Sequence, residues 1–181
     1  MQKFTLRENV AGAFFAALTA LLAYLTIPLP GGLPPVTGQS LAVMLAGLLL
    51  GARGGAVSQL VYLLLGISGL PVFAGGKSGL TVLAGPTGGF IWGFVLGAYL
   101  TGRLTEKHDQ LSLLHLTGAA FAGGVCAVYV PGIIQLAYVL ELSPGTALAA
   151  MLPYLPGDVL KVAVSVLLAA KIRAAVRQSR Q

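Results

Sequence analysis

Charge is nearly absent from six long stretches of this sequence, and that pattern restricts the fold more than any motif does. Only 9% of the 181 residues are charged and 56% are hydrophobic, against about 25% charged in soluble domains. Apolar stretches of this length read as membrane spans, and in lipid only helices and closed barrels satisfy their own backbone. The expected fold is therefore all-α: a single six-helix membrane domain over residues 1–181. Twenty-five Gly and ten Pro fit it, since membrane helices tolerate both and use Gly for close packing.

The spans are expected near Asn9–Pro28, Gln39–Gly51, Ala56–Leu70, Val82–Leu104, Leu114–Leu140 and from Pro156 into the basic tail. The second and third are short for about 30 Å of hydrocarbon. Gly51-Ala-Arg-Gly-Gly55 reads as the tight turn between them, and Gly89, Gly93 and Gly97 form a stripe for close helix contact. A kink is expected at Pro131-Gly132, flanked by Tyr129 and Gln135, which face a polar pocket or bond between helices. A short interfacial helix is expected over Thr146–Leu152. Lys3, Arg7 and the apolar run after them imitate a signal peptide, but the run is too long and further spans follow, so it reads as a retained first helix.

Six spans put both termini on one side. Assigned to the cytoplasm, that side collects nine basic residues, Lys3, Arg7, Arg53, Arg103, Lys107, Lys171, Arg173, Arg177 and Arg180, against two elsewhere, Lys77 and Lys161. This bias orients the chain with both termini inside. It also explains the net charge of +6 without nucleic acid, for which a clustered basic face would be needed. The lone Cys126 reads as a small core residue. His108 and His115 read as parts of a solvated loop.

Lys77 and Lys161 are left unexplained by topology. Lys161 precedes Lys171 by ten residues, about 15 Å of helix, so it lies within the outer half of the hydrocarbon. Asp158, three residues earlier, shares its face. Ionisable groups at such depth mark functional sites; the alternative is that the two pair and merely anchor the helix end. An outward-opening cavity would house them, with backbone donors from Gly75–Gly79 and the apolar Pro28–Pro35 stretch as a lid. Such a cavity suits a small, partly apolar organic anion. Gly76-Lys77-Ser78 imitates a phosphate-binding loop, but the required first Gly is Pro71 and no soluble strand precedes it. An ATP site is not expected.

Three motifs, Pro71-Val-Phe-Ala-Gly-Gly, Gly85-Pro-Thr-Gly-Gly-Phe90 and Pro156-Gly-Asp-Val-Leu-Lys161, stand in the order found in the BioY family, the biotin-binding S components of energy-coupling-factor transporters. The chain resembles that family over nearly its whole length, with Pro35-Val-Thr-Gly-Gln39 and the region from Leu45 to Gly66 included. The resemblance implies a non-enzymatic multi-pass protein of a prokaryotic plasma membrane that binds biotin from outside. It implies a transmembrane T component and two ATP-binding subunits as partners, with ATP used only by the latter and no cofactor of its own. Ala13, Ala17 and Ala20 on the first helix would dock the T component. Ala13 with Ala17, and Ala16 with Ala20, are spaced for close helix approach in any case. Lys161 would meet the biotin carboxylate, and Asp158 would accept from the ureido N–H groups or orient Lys161. Further ligand contacts are expected from Gly75, Gly76, Lys77, Ser78, Gln39 and Thr87, with Lys77 either a second carboxylate partner or solvated. The rival readings are an S component for another vitamin, an integral membrane enzyme, and a structural subunit without small-molecule affinity. No nucleophile–base pair in the sequence favours the enzyme.

Overall fold

A computed structural model describes residues 5–106 and 112–178. Lys3, Lys107, His108 and Arg180 therefore lie outside the described residues. Helix α1, Leu6–Leu22, starts at a capping box in which Thr5 and Glu8 bond each other's backbone N–H. It ends six residues short of the expected Pro28, because the chain there enters a two-stranded ribbon. Strands β1, Thr26–Ile27, and β2, Val36–Thr37, pair antiparallel, with Thr26 opposite Thr37. The ribbon presents the Pro-rich segment between its strands as a folded-over loop.

Helix α2, Gln39–Ile67, is interrupted at Gly51, whose φ 76° and ψ −174° are not helical. The chain reverses there. A Cβ on Gly55 would lie 3.1 Å from Gly47 Cα, whereas residues eight apart in a straight helix are about 12 Å apart. Gln39 likewise reaches Tyr62. The two short spans expected on either side of Gly51 are thus the arms of a helical hairpin. Charged side chains from two other parts of the bundle bond the backbone on either side of the reversal, at Ala52 N–H and Leu48 C=O. Glu106 Oε1 accepts from Ala52 N–H at 2.5 Å, and Arg173 donates to Leu48 O at 2.6 and 3.0 Å.

The expected fourth span is divided. Helix α3, Leu80–Ala84, stops at Gly85-Pro86, and helix α4, Gly88–Thr105, follows. Gln135 Nε2 ties the break down by donating to the carbonyls of Leu83 and Gly85 at 2.6 and 2.8 Å. The glycine stripe of α4 meets the fifth pass closely: a Cβ at Gly93 would come within 2.7 Å of Val128 O, and one at Gly89 within 2.2 Å of Pro131 O. That pass comprises α5, Leu113–Phe121, a π-helical turn, Ala122–Ala127, and α6, Val128–Val139. Its irregularity therefore lies upstream of the expected Pro131-Gly132 kink. Proline lacks an N–H and crowds the carbonyl four residues earlier, here that of Ala127, where the widened turn ends. Cys126 sits in this turn and is exposed, not in the core as expected, because its side of the turn faces away from α4.

Helix α7, Pro144–Ala149, starts two residues before the expected Thr146, capped by Ser143 Oγ on Thr146 N–H. A 3₁₀ turn, Leu152–Tyr154, leads into α8, Leu155–Gln178. Among the described residues there are six long helical passes: α1, the two arms of α2, α4, α5–α6 and α8. The core buries Met44, Leu48, Val125 and Val166 in one cluster, and Tyr62, Ile91 and Phe94 with Phe73 of the loop after α2 in another. The outer faces of the passes expose Phe14, Leu64, Leu96, Ile134, Tyr138 and Leu167. By length and hydropathy alone Gln39–Ile67 and Leu113–Val139 could each cross a membrane. The first folds back at Gly51, so each arm is about 18–24 Å long.

Candidate functional site

Alternation of the passes gathers Arg7, Arg53, Arg103, Lys171, Arg173 and Arg177 at one end of the bundle. Lys77 and Lys161 lie toward the other end, where a chamber of about 810 Å³, part of it open to solvent, is sunk between the helices. Ligand pockets are mainly apolar with a few placed polar groups. Here Phe90, Ile91, Phe94 and Val128 form apolar walls, and Pro34 and Pro35 lie across the chamber as part of the expected lid.

Asp158 and Lys161 line this chamber from the first two turns of α8. Lys161 Nζ donates to Asp158 Oδ1 and to Ser40 Oγ, both at 3.0 Å, leaving a third N–H for a ligand. Asp158 is 5% exposed and its second oxygen accepts from Tyr129 O–H. The carboxylate is thus held by two partners on different helices, next to the positive end of the α8 dipole. Tyr154 O–H donates to the carbonyl of Pro34 and fastens the lid. Burial first, and the Asp158 charge second, push the Tyr154 hydroxyl up to about 12, so it stays a neutral donor at physiological pH. Leu29, Leu33 and Val36 of the lid region pack on Leu136, Met151 and Tyr154.

Of the other residues singled out from sequence, Gln39, Thr87 and Lys77 reach the chamber wall. Gln39 accepts from Thr37 O–H at 3.0 Å and donates to Tyr62, which bonds Val72 O at 3.1 Å. It thereby links β2, the α2 hairpin and the following loop. Gly75, Gly76 and Ser78 do not line the chamber. Gly75 and Gly76 both take φ 71° to close a turn in which Phe73 N–H bonds Lys77 O at 2.9 Å and Gly76 N–H bonds Phe73 O at 3.0 Å. The donors of Gly76 and Gly79, the latter bonded to Gly66 O at 2.8 Å, are used within the fold. Ser40 and Tyr154, which sequence reasoning missed, are common residue types at positions no spacing rule marks; Tyr129 was flagged only by its nearness to Pro131.

On α1, Ala13 and Ala17 are exposed while Ala20 packs partly against the core. Ala16 is fully inward. His115 lies on the first turn of α5, exposed, with Nε2 2.9 Å from Leu104 O.

A helical bundle with an apolar outer surface and an end chamber built around a buried ion pair defines a membrane-embedded binding protein for a small, partly apolar molecule. Its fold matches the 2.1 Å crystal structure of "the S-component for biotin from an ECF-type ABC transporter", with a TM-score of 0.89, 27% identity and 95% of each chain covered. The BioY family model matches residues 1–178. The chain is 43% identical over 169 residues to the biotin transporter BioY of Rhizobium etli, covering 90% of each. It is 34% identical to that of Thermotoga maritima, covering 93% of this chain and 96% of the relative. The chain belongs to the BioY family.

Proposed function

We propose that this chain binds biotin and carries it across the cytoplasmic membrane as the substrate-specific S component of an ECF-type transporter. The observation that carries the reading is the Asp158–Lys161 pair, buried in a mainly apolar chamber within a fold shared with a biotin S component. Buried charges are retained where a ligand or partner gives them a use. The chamber's polar contacts to the vitamin would be Asp158, Lys161, Gln39, Thr87 and Lys77, with the ring and valeryl chain against Phe90, Ile91 and Phe94. Gly75, Gly76 and Ser78 would shape the loop that carries Lys77.

Both termini and the basic end would face the cytoplasm and the chamber the outside, as the distribution of Lys and Arg favours. The described residues would then act as one six-helix unit without a cofactor, ATP being used by two partner subunits. The exposed Ala13–Ala17 face of α1, continued by Val10 and Phe14, would dock the T component, with Ala20 setting the helix against its own bundle. In vesicles containing the chain, a T component and two ATP-binding subunits, labelled biotin should accumulate and be displaced by unlabelled biotin but not by thiamine or riboflavin. Ala17→Leu should abolish uptake while leaving biotin binding intact. Uptake displaced by another vitamin, or binding without any dependence on the partners for uptake, would count against this reading.

A further inference from the structure

Among the described residues, the charges lining the chamber do not cancel. Lys77 and Lys161 stand against one carboxylate, Asp158. Lys161 is compensated: it forms the ion pair with Asp158 at 3.0 Å and also bonds Ser40. Lys77 comes from a different element, and among the described residues its ammonium enters no ion pair or hydrogen bond. Its backbone is nevertheless fixed. Phe73, the other end of the same tight turn, is 0% exposed, and the two residues are bonded backbone to backbone. The turn therefore places at the chamber lining, from a fixed backbone, an exposed lysine with no ion-pair partner among the described residues.

We infer that Lys77, rather than Lys161, receives the carboxylate of the bound acid, and so sets the preference for a monoanion over its neutral derivatives. This rests on the proposed biotin reading and reverses the expectation drawn from sequence for Lys161. An anion approaching Lys161 also approaches Asp158, whose like charge opposes it. An anion at Lys77 meets no such opposition and brings the lining to neutrality. The Asp158–Lys161 pair offers an acceptor beside a donor, the complement of a cyclic urea, whose N–H groups donate and whose carbonyl accepts.

The test is titration calorimetry of biotin and biotin methyl ester into detergent-purified wild type, Lys77→Gln and Lys161→Gln. Wild type should prefer the acid by about tenfold to a hundredfold, the effect of one charge-assisted hydrogen bond. Lys77→Gln should reduce that preference to within about threefold, while Lys161→Gln should weaken both ligands and keep the preference. A preference that survives in Lys77→Gln, or disappears in Lys161→Gln, overturns the assignment alone. Wild type that binds neither ligand overturns the biotin reading and the assignment with it.

Discussion

Asp158 has both oxygens occupied, by Lys161 and by Tyr129, and lies 5% exposed beside an apolar wall. A pair buried this far is costly to break from one side, since the surviving partner keeps its desolvation penalty without compensation. Asp158→Asn and Lys161→Ala should each weaken biotin binding by about 2–5 kcal/mol, tens to thousands of fold. Calorimetry on purified variants checks this, and unchanged affinity in both would remove the chamber from consideration. The pair was legible in the sequence because a lysine about 15 Å inside a basic tail has no reason to sit there. Ser40, Tyr129 and Tyr154 were not, or only faintly: a hydroxyl gains a role from the charge it faces, and that partner is 29 residues away for Tyr129 and 121 for Lys161–Ser40. The loop glycines illustrate the converse. Their composition suggested ligand donors, whereas positive φ at Gly75 and Gly76 closes a turn that consumes Gly76 N–H internally.

At the level of helices, the hairpin of α2 depends on Gly51, where φ 76° excludes ordinary side chains and a Cβ would lie 2.7 Å from Glu106 Oε1. Two clasps hold the reversal, Glu106 on Ala52 N–H and Arg173 on Leu48 O, and join the end of α4 and α8 to the turn. Glu106→Ala leaves Ala52 N–H without that acceptor. It should lower stability by about 1–3 kcal/mol, a melting shift of several degrees, without altering biotin affinity, because the chamber lies at the opposite end. An unchanged melting temperature would show that the clasp contributes nothing. The number of passes could be read from hydropathy and from the spacing of basic residues. The interruptions at Gly85-Pro86 and Ala122–Ala127 could not, since each lies at a contact between helices: Gln135 on the Leu83 and Gly85 carbonyls, and Gly97 against Gly123. Proline placed the second disturbance only to within a turn or two.

For the molecule as a whole, the two ends of the bundle have different tasks. The basic end is closed by charged clasps on the α2 turn. The other end carries the lid, held by Tyr154 on Pro34, and the loop bearing Lys77, held by buried Phe73 and the Gln39–Tyr62–Val72 chain. Between them the exposed faces of α1, the second arm of α2, α4, α6 and α8 carry large apolar side chains, as lipid contact requires. Such a container fits the proposed role of a binding subunit that leaves energy conversion to partner subunits. The most direct measurement is native mass spectrometry of the chain purified in mild detergent from cells supplied with biotin. The account predicts one retained biotin per chain, absent from Lys161→Ala prepared alongside; wild type that carries no ligand, or a different one, would contradict it.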